Sequence, residues 1–308
     1  MIEIVARSGP MREAIRLADR VAATDANVLI TGESGAGKDA LALYIHSKSG
    51  RAQQSFVKID CATLPSGLLE AELFGYERGA FTGASEAKPG RLEAAHRGTL
   101  VLDEIAYLST DSQAKLLRVI ETKEFERLGG RKPITVDARL LALTNVDLGD
   151  AVNRRSFRED LYYRLNVMHI AVPPLRERAE DLSDLARAFV KTYADKHGRA
   201  TKEISKEALH LLAEYEFPGN VRELANTIER GVIVSGSKQL EVPDLPDPIR
   251  VAVAVGRKRK QPQTLAEVEA DYVQEILEAA KGNKTEAARI LGISRKNLYE
   301  KLARLQKG

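Results

Sequence analysis

Gly32-Glu33-Ser34-Gly35-Ala36-Gly37-Lys38 follows a short apolar run, Val28-Leu29-Ile30, and leads into Ala40-Leu41-Ala42-Leu43-Tyr44-Ile45. An apolar strand, a glycine-rich loop and an apolar helix pattern are the context that a phosphate-binding P-loop needs. The glycines let the backbone turn tightly enough for successive N–H groups to face one anion. The following helix adds the positive end of its dipole, and Lys38 adds a full charge near the β- and γ-phosphates of a nucleotide. Asp39 stands where Ser or Thr usually meets Mg²⁺, so metal contact there runs through water or falls to another residue.

Outward from this loop, the 308 residues are enough for about two domains and a sizeable core. Hydrophobic content of 44% with 30% charged residues describes an ordinary soluble protein. No apolar run is long enough to cross a membrane, and the N-terminus lacks a signal-peptide pattern. Cys61, the single cysteine, ends the apolar run Phe56–Cys61 and reads as a small buried hydrophobe in a reducing cytoplasm. Net charge is +3 but unevenly placed. Residues 1–238 are balanced, Arg257-Lys258-Arg259-Lys260 form a basic run, and residues 282–308 carry seven bases against two acids. A basic tail on a neutral body points to nucleic acid at that end alone.

Residues 1–27 carry an amphipathic helical pattern, and a second strand, 56–61, precedes a helix over Leu64–Leu73. Phe74–Ala84 has three glycines and no periodicity, and reads as a long loop with Phe81 set among small residues for contact. Thr99–Glu104 is an apolar strand ending in two carboxylates. In a parallel sheet that end faces the ligand crevice, where Asp103 can hold Mg²⁺ and Glu104 can orient an attacking water. Arg139–Asn145 ends in polar residues at the same edge. Phe157–Leu165 is helical, Val167–Val172 is strand-like, and 179–197, 205–215 and 220–234 read as helices. Alternating strands and helices followed by helices alone imply an α/β domain with a helical lid.

The four prolines of residues 236–263 and their scant periodicity read as a linker, its domain bounds set at 239–263. Three helices follow over 264–306. Thr264 starts the first, Gly282-Asn283 ends it, Gly292-Ile293-Ser294 makes a tight turn, and Ser294 caps the last. This is a helix-turn-helix pattern whose final helix offers Arg295, Lys296, Asn297, Lys301 and Arg304 to bases and phosphates.

Gly79-Ala80-Phe81-Thr82-Gly83-Ala84, between the P-loop and the Asp103-Glu104 strand, closely resembles the signature of bacterial enhancer-binding proteins. These are NtrC-like AAA+ ATPases that activate transcription with sigma-54 RNA polymerase. The likeness extends to Glu72–Gly75, Leu102–Ile105, Phe157–Leu165, Pro174–Arg178 and Pro218–Leu224, and the tail resembles the family's Fis-like DNA-binding domain. It implies a parallel-sheet AAA+ subdomain over 1–172, a helical lid over 173–238 and an all-α DNA-binding domain over 264–308.

The resemblance assigns roles residue by residue. Gly32 to Asp39, with Lys38 foremost, would hold the phosphates of ATP, Asp103 would bind Mg²⁺, and Glu104 would activate water. Asn145 matches the first sensor and Arg222 the second. Arg158 and Arg164 match arginines that reach a neighbouring subunit's site. Gly79–Ala84, with Phe81 and Thr82 at its centre, would touch sigma-54, supported by a second loop near Leu128–Arg131. Asp60 stands where many members have an Asn that restrains the catalytic Glu, and an ionised carboxylate cannot donate the same hydrogen bond. An acid at Asp39 is usual in the family.

The implied protein is a cytoplasmic homo-oligomer, a hexameric ring when active and a dimer at rest, held at double-stranded enhancer DNA and not at a membrane. The family normally carries an N-terminal sensor or receiver domain, so either a separate protein controls this regulator or such a domain has been removed. Three other readings stay open on the residues alone: a DNA-binding regulator that never touches sigma-54, another AAA+ machine such as a replication loader, and a metabolic P-loop kinase. The Gly79–Ala84 hexapeptide argues against the first two, and the paired arginines and the DNA-binding tail argue against the kinase.

Overall fold

The computed structural model describes residues 4–260, 269–270, 272–274, 276–277, 280 and 282–305. Two compact units divide at Pro246/Asp247, and each is described by itself.

In the first unit, α1 (Gly9–Ala22) leads to β1 (Val28–Thr31), the P-loop and α2 (Lys38–Ser47). Pro10 in the first turn fixes where α1 begins, so residues 4–8 lie outside the helix that the 1–27 pattern suggests. Next come β2 (Phe56–Asp60), α3 (Ser66–Phe74) and a small hairpin of β3 (Gly75–Tyr76) and β4 (Lys88–Pro89). The stretch from Phe74 to Ala84 is therefore not a free loop: Phe74 ends α3, Gly75-Tyr76 form β3, and Glu77–Ala84 lie in the hairpin's connection. Then follow α4 (Arg91–Ala94), β5 (Thr99–Asp103), α5 (Thr110–Thr122) and a second hairpin, β6 (Glu124–Glu126) with β7 (Pro133–Thr135). β8 (Arg139–Thr144), α6 (Leu148–Asn153), α7 (Glu159–Leu165) and β9 (Met168–Ala171) complete the sheet layer.

The five-stranded sheet has the order β2-β5-β8-β1-β9, and every pairing is parallel. The carboxyl ends of all five strands therefore open onto one edge, where ligands of such sheets bind. β8 is buried along its whole length, which explains its near-continuous apolar run. One face of the sheet packs Leu73, Phe74, Leu100, Leu102, Leu116 and Leu161, and the other packs Met11, Ile30, Leu41, Ile45, Leu141 and Ile170. Arg139 is the exception inside β8. Its guanidinium donates to the Val21 and Ala22 carbonyls at the C-terminal end of α1.

The lid follows with α8 (Ala179–His197), β10 (Glu203–Ile204), α9 (Lys206–Ala213), α10 (Asn220–Val234) and β11 (Gln239–Leu240), which pairs with β10. Asp181 in α8 accepts from the Arg7 and Ser8 backbone N–H groups and from Ser8 Oγ, tying the chain before α1 to the lid.

The second unit opens with α11 (Asp247–Lys260). The 239–263 stretch thus contains β11, a helical turn at Val242–Asp244 and α11 where the sequence suggests a linker. The prolines explain the difference. Pro243 and Pro248 occupy first turns, the helical position in which proline is tolerated. Helices Lys284–Ile290 and Arg295–Leu305 flank a turn at Gly292, whose φ of 66° suits glycine. Asn283 caps the first through Thr285 and Glu286, and Ser294 Oγ accepts from Asn297 N. Val273, Ala287, Ala288 and Leu298 form this unit's small core. Thr264 lies outside the described residues.

Candidate nucleotide site and contact loop

The P-loop glycines do what their spacing requires. Gly35 has φ +75°, and a Cβ there would lie 2.4 Å from the Gly219 carbonyl oxygen, so only glycine lets the lid come this close. Lys38, at the first turn of α2, donates to the Gly32 and Glu33 carbonyls at 2.7 and 3.3 Å, and its Nζ lies 3.7 Å from Glu104 Oε1. A cleft of about 210 Å³ is lined by Ser34, Gly35, Gly37, Lys38, Asp39, Asp103, Glu104 and Arg222, among others. Residues from the P-loop, the β5 end and the lid thus share one crevice.

Glu104 has φ 52°, a left-handed conformation uncommon for a residue with a side chain and frequent at functional sites. Its Oε2 accepts from the Asn145 backbone N–H at 3.2 Å. Asn145 lines a second cavity with Thr31 and His169. Asp60 lies beside Asp103 in the strand register, but its Oδ1 accepts from Ala62 N at 2.9 Å. Among the described residues Asp60 and Glu104 share no hydrogen bond. Cys61 is buried next to these acids, and its backbone N–H donates to Asp103 O. Burial first, then the charges of Asp60, Asp103 and Glu104, push its thiol up to about 12.

Lys58, which the sequence reading passes over, lies between the carboxylates of Asp39 and Asp103. Its ammonium bridges Asp39 Oδ1 at 2.5 Å and Asp103 Oδ2 at 2.7 Å. Burial alone would lower its pKa, yet the bonds to Asp103 and Asp39 outweigh that and raise it.

The lid grips the phosphate loop at several points. Arg222 Nη1 donates to Ser34 Oγ at 3.0 Å, and its backbone N–H donates to Gly35 O. Arg176 makes a bidentate pair with Glu33 at 2.8 and 2.6 Å. The Arg178 guanidinium donates to Ala36 O. Asn220, buried and also missed from sequence, donates to Glu33 Oε2 and Ser34 O while accepting from Leu175 N.

Arg158 and Arg164 do not line this cleft. Arg158 pairs with its neighbour Asp160, and Arg164 with Glu121, both on exposed surface. The Gly79–Ala84 tip is a compact turn closed by Gly79 N to Ala84 O and Ala84 N to Phe81 O. Phe81 is 41% exposed and meets the Tyr76 ring edge-on at 5.0 Å. The second loop abuts it: Glu77 N donates to Leu128 O, and a Cβ on Gly129 would reach 2.9 Å from Ala80 Cβ. In the C-terminal unit Arg295, Lys296 and Asn297 are exposed, and Lys301 pairs with Glu269. The side chain of Arg304 lies outside the described ones.

Residues 4–171 match the family described as the sigma-54 interaction domain, residues 176–262 the AAA+ ATPase lid domain, and residues 264–305 the Fis family of bacterial regulatory proteins. The chain belongs to the sigma-54 activator family. It is similar to the transcriptional regulatory protein FlbD of Caulobacter vibrioides, at 46% identity over 97% of this chain and 69% of that one. It is similar also to the regulatory protein AtoC of Escherichia coli, at 44% over 97% and 67%. The crystal structure of NtrX from Brucella abortus in complex with ATP matches with a TM-score of 0.75 and 33% identity, over 99% of this chain and 70% of that one. As a member, the chain is an AAA+ ATPase and a sigma-54-dependent transcriptional activator with a Fis-type helix-turn-helix. Among the described residues, no helix is long and apolar enough to cross a membrane.

Proposed function

We infer that this activator works as a cytoplasmic hexameric ring that uses ATP to remodel sigma-54 RNA polymerase while its C-terminal unit holds double-stranded enhancer DNA. The observation that carries this reading is the Gly79–Ala84 tip, an exposed aromatic turn braced by a second loop on the same subdomain as the nucleotide cleft. The proposed division is 1–172 for the ATPase subdomain, 173–238 for the lid, 239–263 for the connection and 264–308 for DNA binding.

Lys38 and the backbone N–H groups of Gly32–Asp39 bind the ATP phosphates, and Arg222 reports their presence to the lid. The donor set suits Mg²⁺, because Asp103 and Asp39 already converge on one cation, the Lys58 ammonium. Asp103 would hold the metal, with Asp39 beside it; when bound, Mg²⁺ would neutralise charge on the phosphate oxygens. Glu104 takes the proton of the attacking water, with the Asn145 backbone fixing its carboxylate. Asp60 contributes charge near this group and no bond to it. Arg158 and Arg164, exposed and away from their own cleft, complete the site of the next subunit, which makes a closed ring the working form. Arg295, Lys296, Asn297, Lys301 and Arg304 meet DNA, with paired units on half-sites about one helical turn apart.

Thr82→Ala tests the reading. It is expected to leave ATP hydrolysis near wild type and to abolish open-complex formation by sigma-54 polymerase. Normal promoter opening by this variant would sink the proposed role of the tip.

A further inference from the structure

Lys58 makes a cation site out of two acids that the ATPase reaction needs for another purpose. It rises from β2, next to β5 in the sheet, and ends between a carboxylate of the first α2 turn and the carboxylate that closes β5. Asp103 is the less exposed of the two at 15%, against 50% for Asp39, and the Lys58 side chain is 36% exposed. The ammonium therefore bridges a more buried and a more exposed acid, at 2.7 Å from Asp103 and 2.5 Å from Asp39.

A hard divalent cation takes carboxylate oxygens at about 2.0–2.1 Å and keeps the rest of its octahedron in water and phosphate. An ammonium in hydrogen-bond contact with the same carboxylates occupies the volume and the charge that such an ion needs. The two cations exclude each other.

The structure assigns to Lys58 the role of an internal counter-ion that occupies the Mg²⁺ position and must leave it for the metal to load. Lys58 is thus a positioning residue, which sets how much metal the site requires. With the metal absent, it also keeps Asp39 and Asp103 from repelling the nucleotide's phosphates. Both effects act in one direction: they reduce the gain in nucleotide affinity that Mg²⁺ brings. The inference rests on Asp103 being the metal residue.

The test compares affinities of the full chain for a fluorescent ADP derivative in excess Mg²⁺ and in EDTA. The readout is the dissociation constant in EDTA divided by that in Mg²⁺, which involves no turnover. Lys58→Met is expected to raise that ratio about tenfold, the scale of one partly exposed ion pair with two partners. Lys58→Arg, which keeps the charge, is expected to restore most of the wild-type ratio. Asp103→Asn is expected to bring the ratio close to one in either background.

An unchanged or lowered ratio in Lys58→Met, with Asp103→Asn still collapsing it, overturns the counter-ion role and leaves the metal assignment standing. A ratio insensitive to Asp103→Asn overturns the metal assignment, and the inference falls with it.

Discussion

Arg222 Nη1 donates to Ser34 Oγ at 3.0 Å, joining the first turn of α10 to the phosphate loop. The guanidinium lines the same cleft as Lys38 and Glu104. A lid side chain that bonds the loop and faces the nucleotide can transmit occupancy of the cleft to the whole of α10.

Arg222→Ala is therefore expected to weaken ATP binding about tenfold, the scale of one charge-assisted hydrogen bond. Arg222→Lys should recover little, because an ammonium cannot reproduce the planar fork. Equilibrium titration with a fluorescent ATP analogue measures both. Wild-type affinity in Arg222→Ala would remove this residue from the site.

Mixing separates a site completed in trans from one completed in cis. Glu104→Gln and Arg158→Ala should each be nearly inactive alone. Combined in equal amounts, they should regain hydrolysis, since about a quarter of junctions in a randomly mixed ring pair an intact Glu104 with an intact Arg158. No recovery, with co-assembly shown by cross-linking, would place Arg158 outside the neighbour's site.

Gly129→Ala probes the brace behind the contact loop. The residue has φ +73°, and the new Cβ would lie 2.9 Å from Ala80 Cβ. The strain costs about 1–2 kcal/mol and displaces the Gly79–Ala84 tip, leaving the cleft untouched. Open-complex formation should fall at least tenfold while basal ATP hydrolysis stays within a factor of about two. Equal losses in both assays would contradict a local role.

The Glu33–Arg176 pair predicts a pH dependence. The bidentate bond from Arg176 first, then that from Asn220, hold the Glu33 carboxyl down to about 2 from 4.5, against the opposing effect of burial. A folded-state value below the unfolded one adds stability that is complete above about 4.5 and is lost as pH falls towards about 2. The stability difference between wild type and Glu33→Gln, read from urea midpoints, should be constant near neutrality and shrink over that acid window. The pair is 43% exposed on each side, so solvent screening keeps the difference small. A difference that does not shrink in acid would show that the pair contributes nothing through charge.

What the sequence made legible follows from how local each signal is. The P-loop, the Thr99–Glu104 strand and the helices Ala179–His197 and Asn220–Val234 each lie on one short pattern, and all form where the pattern puts them. Lys58 and Asn220 escaped because their meaning depends on distant partners: Asn220 reaches Glu33 across 187 positions. The two-residue strands of the first hairpin are too short to show a period. In α11 the prolines obscured a helix, because a count of prolines says nothing about which turn each one occupies.

Cys61 gives the molecule a chemical clock. Its thiol is shielded by packing and held protonated by burial and three nearby acids, and the chain has no other cysteine. A thiol reagent can mark the protein only when the packing around Cys61 opens. With reagent in large excess, so that marking outpaces reclosing, the rate of marking counts those openings beside Asp103 and Glu104.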